Sequence, residues 1–271
     1  MIIHVLTIDQ TSISGYDCEH GLSLCCEVND RTFMFDVGAT GLFASNAKKM
    51  NIDLKKVEFL ILSHGHYDHG GGLSTFFKIN DHAEVLIHHL AFQPLYSQRG
   101  EELHSIGLDP QFKHHSSVIL TGKRFFIDAG IQLFASPPHL YPLPIANQSL
   151  KWNYHGKIED DPFLHEQSCL IQEDDQLILL AGCAHQGILN IIEYVKSLKG
   201  KYPDVVVGGF HLSGRMHQES TDTIDAIADV LLKSNAIYYT GHCTGEEPYR
   251  QLKKRMGDHL HRLETGLTIN L

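Results

Sequence analysis

Apolar residues fall along this chain in two rhythms. Dense short runs at 2–8 (IIHVLTI), 22–28 (LSLCCEV) and 31–38 (RTFMFDVG) predict strands. The second and third are joined by Asn29-Asp30, a pair suited to a tight turn. The nearly continuous run VEFLILS at 57–63 predicts a strand covered on both faces. Helical spacing marks 41–50 and 71–80, AEVLIHH at 83–89 predicts another strand, and 124–136 predicts a hairpin turning near Ala129-Gly130. Beyond 167 the pattern predicts two strands over 168–182 and a helix over 187–200. That helix carries an apolar stripe of Ile188, Ile191, Ile192, Val195 and Leu198. A strand over 204–210, a helix over 221–234 and a strand over 236–241 follow. The helix over 246–257 runs from acids to bases, as the helix dipole prefers, and 267–271 closes with a short strand.

Two stretches break the rhythm. Residues 91–125 are mixed and punctuated by Gly100, Gly107, Pro110 and Gly122. Residues 137–167 hold Pro137, Pro138, Pro142, Pro144 and Pro162, with the only tryptophan, Trp152, and no clear period. Aromatic residues are unusual in disordered linkers, so this stretch is expected to be a functional loop or lid. No linker and no fixed repeat divides the chain. The expected organisation is one α/β (α+β) domain over residues 1–271, helices covering β-sheets, with a variable loop or lid region at about 91–167.

Composition narrows the function classes. The chain has 271 residues, 42% hydrophobic and 20% charged, enough to fold around a sizeable core. Its net charge of −10 disfavours nucleic acid as a partner. No run reaches the ~18 apolar residues of a membrane span, and MIIHVLTID does not read as a signal peptide. Six scattered cysteines without a CxxC pair point to reduced thiols, so a cytoplasmic protein is expected. Oligomeric state is left open. The twenty histidines change the picture most, through where they fall.

The stretch Ser63-His64-Gly65-His66-Tyr67-Asp68-His69-Gly70-Gly71-Gly72 directly follows the buried strand. Open α/β sheets place ligands at such strand ends. Imidazoles at 64 and 66 can converge on one cation, while Asp68 and His69 point to a second. The glycines permit tight turns. Four strong ligands beside an apolar strand make a solvated polar loop a poor reading. Three later histidines also follow apolar runs: His185 after LILLAG, His211 after VVVGGF and His242 after AIYYTG.

His64 to His69 form an HxHxDH motif, and here the chain resembles the metallo-β-lactamase superfamily. Supporting motifs are Glu19-His20-Gly21-Leu22-Ser23, Phe35-Asp36-Val37-Gly38 and Gly182-Cys183-Ala184-His185-Gln186-Gly187-Ile188 with Asn190. Gly208-Gly209-Phe210-His211-Leu212 and Gly241-His242-Cys243-Thr244-Gly245 complete the series. Together they resemble the branch of dihydropterin ribofuranosyl-aminobenzene phosphate synthase-like proteins, from about residue 3 to the C-terminus and most loosely at 91–160. The resemblance implies a four-layer αββα sandwich with a metal site at one edge. It implies two divalent ions, one on His64, His66 and His185, the other on Asp68, His69 and His242. It implies that Asp36 supports the metal-binding loop by orienting a ligand imidazole. Glu19, His20 and Glu166 are its candidates for substrate contact, Glu166 either touching substrate or bracing a loop. Better-known members carry an aspartate where this chain has Cys183, which is then either a soft ligand or, more simply, a packed thiol. Ser136-Pro137-Pro138-His139 is a weak candidate for a missing histidine motif. His211 is open between metal ligand, ligand-orienting residue and phosphate contact; a place beside the substrate is favoured.

Imidazole and carboxylate ligands suit zinc, with manganese and iron as chemical equals. A two-metal site lowers the pKa of a water and holds it as hydroxide near an electrophile. The leading expectation is therefore a metal-dependent hydrolase of a phosphoester, phosphodiester or related small molecule, with Asp68 and His211 as candidate catalytic residues. Three alternatives stand beside it: a synthase-like enzyme on a phosphoribosyl or pterin-type substrate, a di-iron redox protein, and a non-catalytic phosphate-ligand binder.

Overall fold

A computed structural model describes residues 1–271. One seven-stranded sheet runs, edge to edge, Thr268–Asn270, Ile2–Thr7, Ser23–Val28, Arg31–Phe35, Phe59–Ile61, Glu84–His88 and Val118–Thr121. A second runs Leu260–Arg262, Ile237–Thr240, Val205–Val207, Gln176–Leu180, Gln167–Glu173, Ile131–Ala135 and Arg124–Phe126. Each sheet is antiparallel in one half and parallel in the other.

Side-chain alternation explains why the two sheets stack. In the first, Ile3, Val5, Cys26, Phe33, Phe35, Phe59 and Ile61 point to one face, and Leu6, Cys25, Met34, Leu60 and Leu62 to the other. In the second, Leu133, Cys169, Ile171, Ile178, Leu180, Val205 and Val207 point inward, while Phe134, Leu170, Leu179 and Val206 point out. The two inner faces share one core, in which the Phe33 and Phe59 rings stack at 4.9 Å. Helices Leu42–Lys49 and Leu73–Ile79 cover the outer face of the first sheet. Helices Ile188–Lys199, Thr221–Lys233 and Glu246–Met256 cover that of the second. Strands covered on both faces read as nearly continuous apolar runs, which is why VEFLILS has no clean alternation. The result is the expected αββα sandwich. No helix is long and apolar enough to cross a membrane.

The irregular stretches behave differently from expectation. Within 91–125 and 137–167 lie two hairpins, Leu95–Arg99 with Glu102–Ser105 and Leu150–Tyr154 with Lys157–Asp160. They join through Leu150 opposite Ser97 into a four-stranded third sheet. Much of the supposed loop is thus regular structure. Its strands (LYSQR, ELHS, LKWNY, KIED) are largely polar and bury few residues, so no apolar rhythm betrays them. The short strand Leu260–Arg262 and the one-turn helix Tyr67–Gly70 also carry no periodic signal.

Candidate metal centre

The strand Phe59–Ile61 delivers the histidine loop to the sandwich edge, and Asp36, at the end of the neighbouring strand, holds the loop in place. Ser63 donates its backbone N–H to Asp36 Oδ1 and its hydroxyl to Asp36 Oδ2, both at 2.7 Å. His69 Nδ1 donates to the same Oδ2 at 2.7 Å. Gly182 packs against this brace: a Cβ there would sit 2.2 Å from Ser63 Oγ.

Four imidazoles are oriented by one rule: Nδ1 is tied back to the protein, so Nε2 is left with its lone pair. His69 is tied to Asp36. His64 Nδ1 lies 2.8 Å from Ser63 Oγ, His185 Nδ1 3.0 Å from Asn147 Oδ1, and His242 Nδ1 2.6 Å from Asp9 Oδ2. These Nε2 atoms face one another's carriers. His64 Nε2 is 3.0 Å from His66 Nδ1. Asp68 Oδ2 lies 3.3 Å from His242 Nε2, 3.4 Å from His20 Nε2 and 3.9 Å from His69 Nε2. Cys183 Sγ is 3.2 Å from His69 Nε2.

The donors form overlapping groups. His64, Cys183 and His185 converge, as do His69, Cys183 and His242, and also Cys183, His211 and Cys243. Two further groups are Asp9, His20 and His242, and His66, Asp161 and His165; Cys183 belongs to three of the five, so it stands among the donors and is not a thiol packed away from them. His66 Nε2, His185 Nε2 and both ring nitrogens of His211 are buried without a hydrogen-bond partner. Such orphaned groups are costly unless something occupies the space they face. Neutral imidazole, carboxylate and thiol donors together fit one or more divalent transition-metal ions.

Electrostatics divide the donors: against burial, Asp36 and Asp68 raise His69, and Asp68 and Asp9 hold His242 well above the ordinary histidine range, so a metal ion there would have to displace a proton. Burial, with the neighbouring imidazoles, holds His64 and His185 well below the ordinary histidine range, so both are neutral imidazoles at pH 7. His66 is pushed down to about 3, first by burial. Burial opposes ionisation of Asp68, yet His69 and His242 outweigh it and hold the carboxylate charged. A histidine whose folded pKa is depressed supplies stability above its unfolded value of about 6.5, lost as pH falls towards about 3. In chelator-treated protein, His66→Gln is therefore expected to flatten the decline of melting temperature between pH 6.5 and 4 by roughly one proton. Superimposable pH profiles for the two proteins would refute this.

The remaining candidates divide. His20 reaches the site: its Nδ1 bonds Asp9 at 2.6 Å, and its ring packs 4.6 Å from that of His242. His211 stacks 4.0 Å from His185. Both line a cavity of about 520 Å³ together with His66, Asp68, Cys183, His185 and His242. Glu19 and Glu166 are not among the residues lining it, and both hold backbone, which for Glu166 is the loop-bracing alternative. Glu19 accepts from the Thr40 backbone and hydroxyl at 3.2 and 2.6 Å, tying down the loop before the first helix. Glu166 accepts from the backbone N–H groups of His185 and Gln186 at 2.7 and 2.8 Å, so it fixes the turn that presents His185. Burial pushes its carboxyl up to about 7 against the pull of those amides. His139 bonds Gln186 Oε1 and stands outside the donor groups. A larger cavity of about 820 Å³, floored by apolar residues such as Ile188, Phe210 and Ile227, holds none of the imidazoles.

Several contributors escaped the sequence reading. Asp9 orients both His20 and His242 from the end of the first strand, 233 positions away from the latter. His165 accepts from Gly65 N–H at 3.2 Å and contacts Asp161 at 3.0 Å, bracing the HxH turn. Non-glycine residues held in left-handed backbone also gather here: Asp36 (φ 61°), Ala184 (56°), His211 (49°) and His242 (52°). Such conformations persist where surrounding contacts impose them.

Comparison with known proteins gives the same picture. The family model described as the metallo-beta-lactamase superfamily matches residues 22–194. An uncharacterized protein of Methanocaldococcus jannaschii, MJ0448, is 28% identical over 261 residues, 92% of this chain and 93% of its own. The 7,8-dihydropterin-6-methyl-4-(beta-D-ribofuranosyl)-aminobenzene-5'-phosphate synthase of the same organism is 27% identical over 99% of both chains. The crystal structure of Tm1679, described as a metal-dependent hydrolase of the beta-lactamase superfamily, superposes with a TM-score of 0.86 and 26% identity. That match covers 100% of this chain and 99% of the other. Family match, sandwich and histidine loop agree: the chain belongs to the metallo-beta-lactamase superfamily.

Proposed function

We propose that this protein is a metal-dependent hydrolase of small phosphoesters or phosphodiesters. The observation that carries the reading is the inward convergence of tied-back imidazoles on Asp68 and Cys183. His64, His66 and His185 would hold one divalent ion, and Asp68, His69 and His242 a second, zinc being favoured with manganese and iron as alternatives. Cys183, shared by three of the donor groups, stands where it would reach either. Bound ions of this kind lower the pKa of a water and stabilise charge growing on a phosphoryl oxygen.

The chain's own residues supply the rest. Asp36, Asp9, Ser63 and Asn147 keep the imidazoles oriented, so little reorganisation accompanies reaction. Asp68 places a fixed negative charge at the floor of the cavity. His211 offers two unpartnered nitrogens at its wall and is placed to hydrogen-bond a substrate oxygen or return a proton to a leaving group. The likeness to Tm1679 supports hydrolysis. The likeness to the dihydropterin compound's synthase favours a second reading, a synthase acting on a phosphoribosyl-type substrate.

Zinc- and manganese-loaded protein should release nitrophenolate from bis(p-nitrophenyl) phosphate or p-nitrophenyl phosphate. His66→Ala is expected to lower the rate by about 10³-fold or more through loss of metal. His211→Ala should lower it by about 10²-fold with metal content unchanged. Turnover that survives His66→Ala would overturn the hydrolase. Absence of turnover, with formation of the product named for the Methanocaldococcus relative, would put the synthase in its place.

A further inference from the structure

Arginines in this protein are paired, with two exceptions. Of the seven, Arg31 is bonded to Glu58 and Asp128, Arg250 and Arg262 to Glu246, Arg255 to Asp225 and Asp229, and Arg124 to Gln132. Arg99 and Arg215 make no salt bridge and no side-chain hydrogen bond, and Arg99 Nε is buried without a partner. Both line the cavity that contains the metal-centre donors. Arg99 comes from the strand Leu95–Arg99 of the third sheet, and Arg215 from the loop that begins with His211. In a chain of net charge −10, Asp68 is the only carboxylate lining that cavity, and it faces the imidazoles. Two arginines from distant parts of the sequence, Arg99 with a buried unpartnered Nε and Arg215 exposed at the rim, line one cavity without counter-charges and match an oxyanion. The planar fork of arginine bonds phosphoryl and carboxylate oxygens in pairs.

We infer that Arg99 and Arg215 form an oxyanion-binding subsite, so that the protein takes ligands with two ends. One end is the reacting group at the imidazole cluster, and the other is a second phosphoryl or carboxylate group held by the two arginines. The first end rests on the hydrolase reading; the second rests on the arginines alone. The third sheet then has a role that its polar strands otherwise lack: it carries a specificity residue to the cavity.

The test is calorimetric titration of the metal-loaded full-length protein with methylphosphonate, propane-1,3-diylbisphosphonate and 4-phosphonobutyrate. Wild type is expected to bind the bisphosphonate about tenfold or more tightly than methylphosphonate. Arg99→Ala/Arg215→Ala should lose that preference while keeping its methylphosphonate affinity, metal content and melting temperature. An equal preference for 4-phosphonobutyrate assigns a carboxylate to the arginine end, and preference for the bisphosphonate alone assigns a phosphoryl group. A preference absent from wild type, or retained in the double variant, overturns the subsite. Should the protein bind no metal, the hydrolase reading fails and the arginines are still tested. Methylphosphonate binding that vanishes in the double variant supports them, and binding that is unchanged or absent in wild type overturns them.

Discussion

Asp36→Ala is expected to lower the stability of the folded protein by about 3–5 kcal/mol and its metal affinity by about 10–100-fold. Asp36 is fully buried and accepts three hydrogen bonds, from Ser63 N–H, Ser63 Oγ and His69 Nδ1. Alanine leaves all three donors without partners in a space that water does not reach. It also frees the His69 ring to rotate, and with Ser63 goes the anchor of His64. Asp36→Asn, with its oxygen in the Oδ2 position, should keep the acceptor for Ser63 Oγ and His69 Nδ1 but set an amide N–H₂ against Ser63 N–H, and so fall between wild type and alanine. Thermal denaturation reads the stability, and competition with a chelator reads the affinity. Wild-type values of both in Asp36→Ala would remove this residue from the account.

Glu166→Ala carries the next largest effect, about 2–4 kcal/mol, because it strips the acceptor from the buried N–H groups of His185 and Gln186. The turn that presents His185 also carries Ala184 in left-handed backbone and Gly187 at φ 83°, and Asn147 and Asn190 hold the carbonyls of His185 and Gln186, so Glu166 is one of several contacts that impose its shape. Metal uptake through His185 should weaken accordingly, while the candidate ligands His69 and His242 on the other side of Cys183 are left in place. Thermal melts and metal titration test this. A loss of substrate affinity with normal stability would instead favour substrate contact, the alternative that its sequence context left open beside loop bracing.

These two carboxylates show where reading a sequence stops. Asp36 was legible because it ends an apolar strand one position before Val37-Gly38 and belongs to a motif. Glu166 was visible as a motif residue, but its task depends on whether the side chain turns to the cavity or to the backbone of residues 185 and 186. The apolar runs made helices covering β-sheets legible, the resemblance supplied the four-layer sandwich, and the HxHxDH loop was legible because three histidines and an aspartate lie within six residues. The third sheet was not, since polar strands such as KIED bury too little to leave a rhythm. Asp9, Asn147, Arg99 and Arg215 act through tertiary placement, each beside partners far along the chain. No local pattern distinguishes them from ordinary surface residues.

The central claim is that converging imidazoles, Asp68 and Cys183 are a metal centre. Elemental analysis of the purified protein beside His64→Ala/Asp68→Ala tests it most directly. The account predicts about two equivalents of zinc or manganese in the wild type, lost in the variant while the fold is retained. Protein that takes up no divalent metal after reconstitution, or that holds as much metal in the variant as in the wild type, would contradict it.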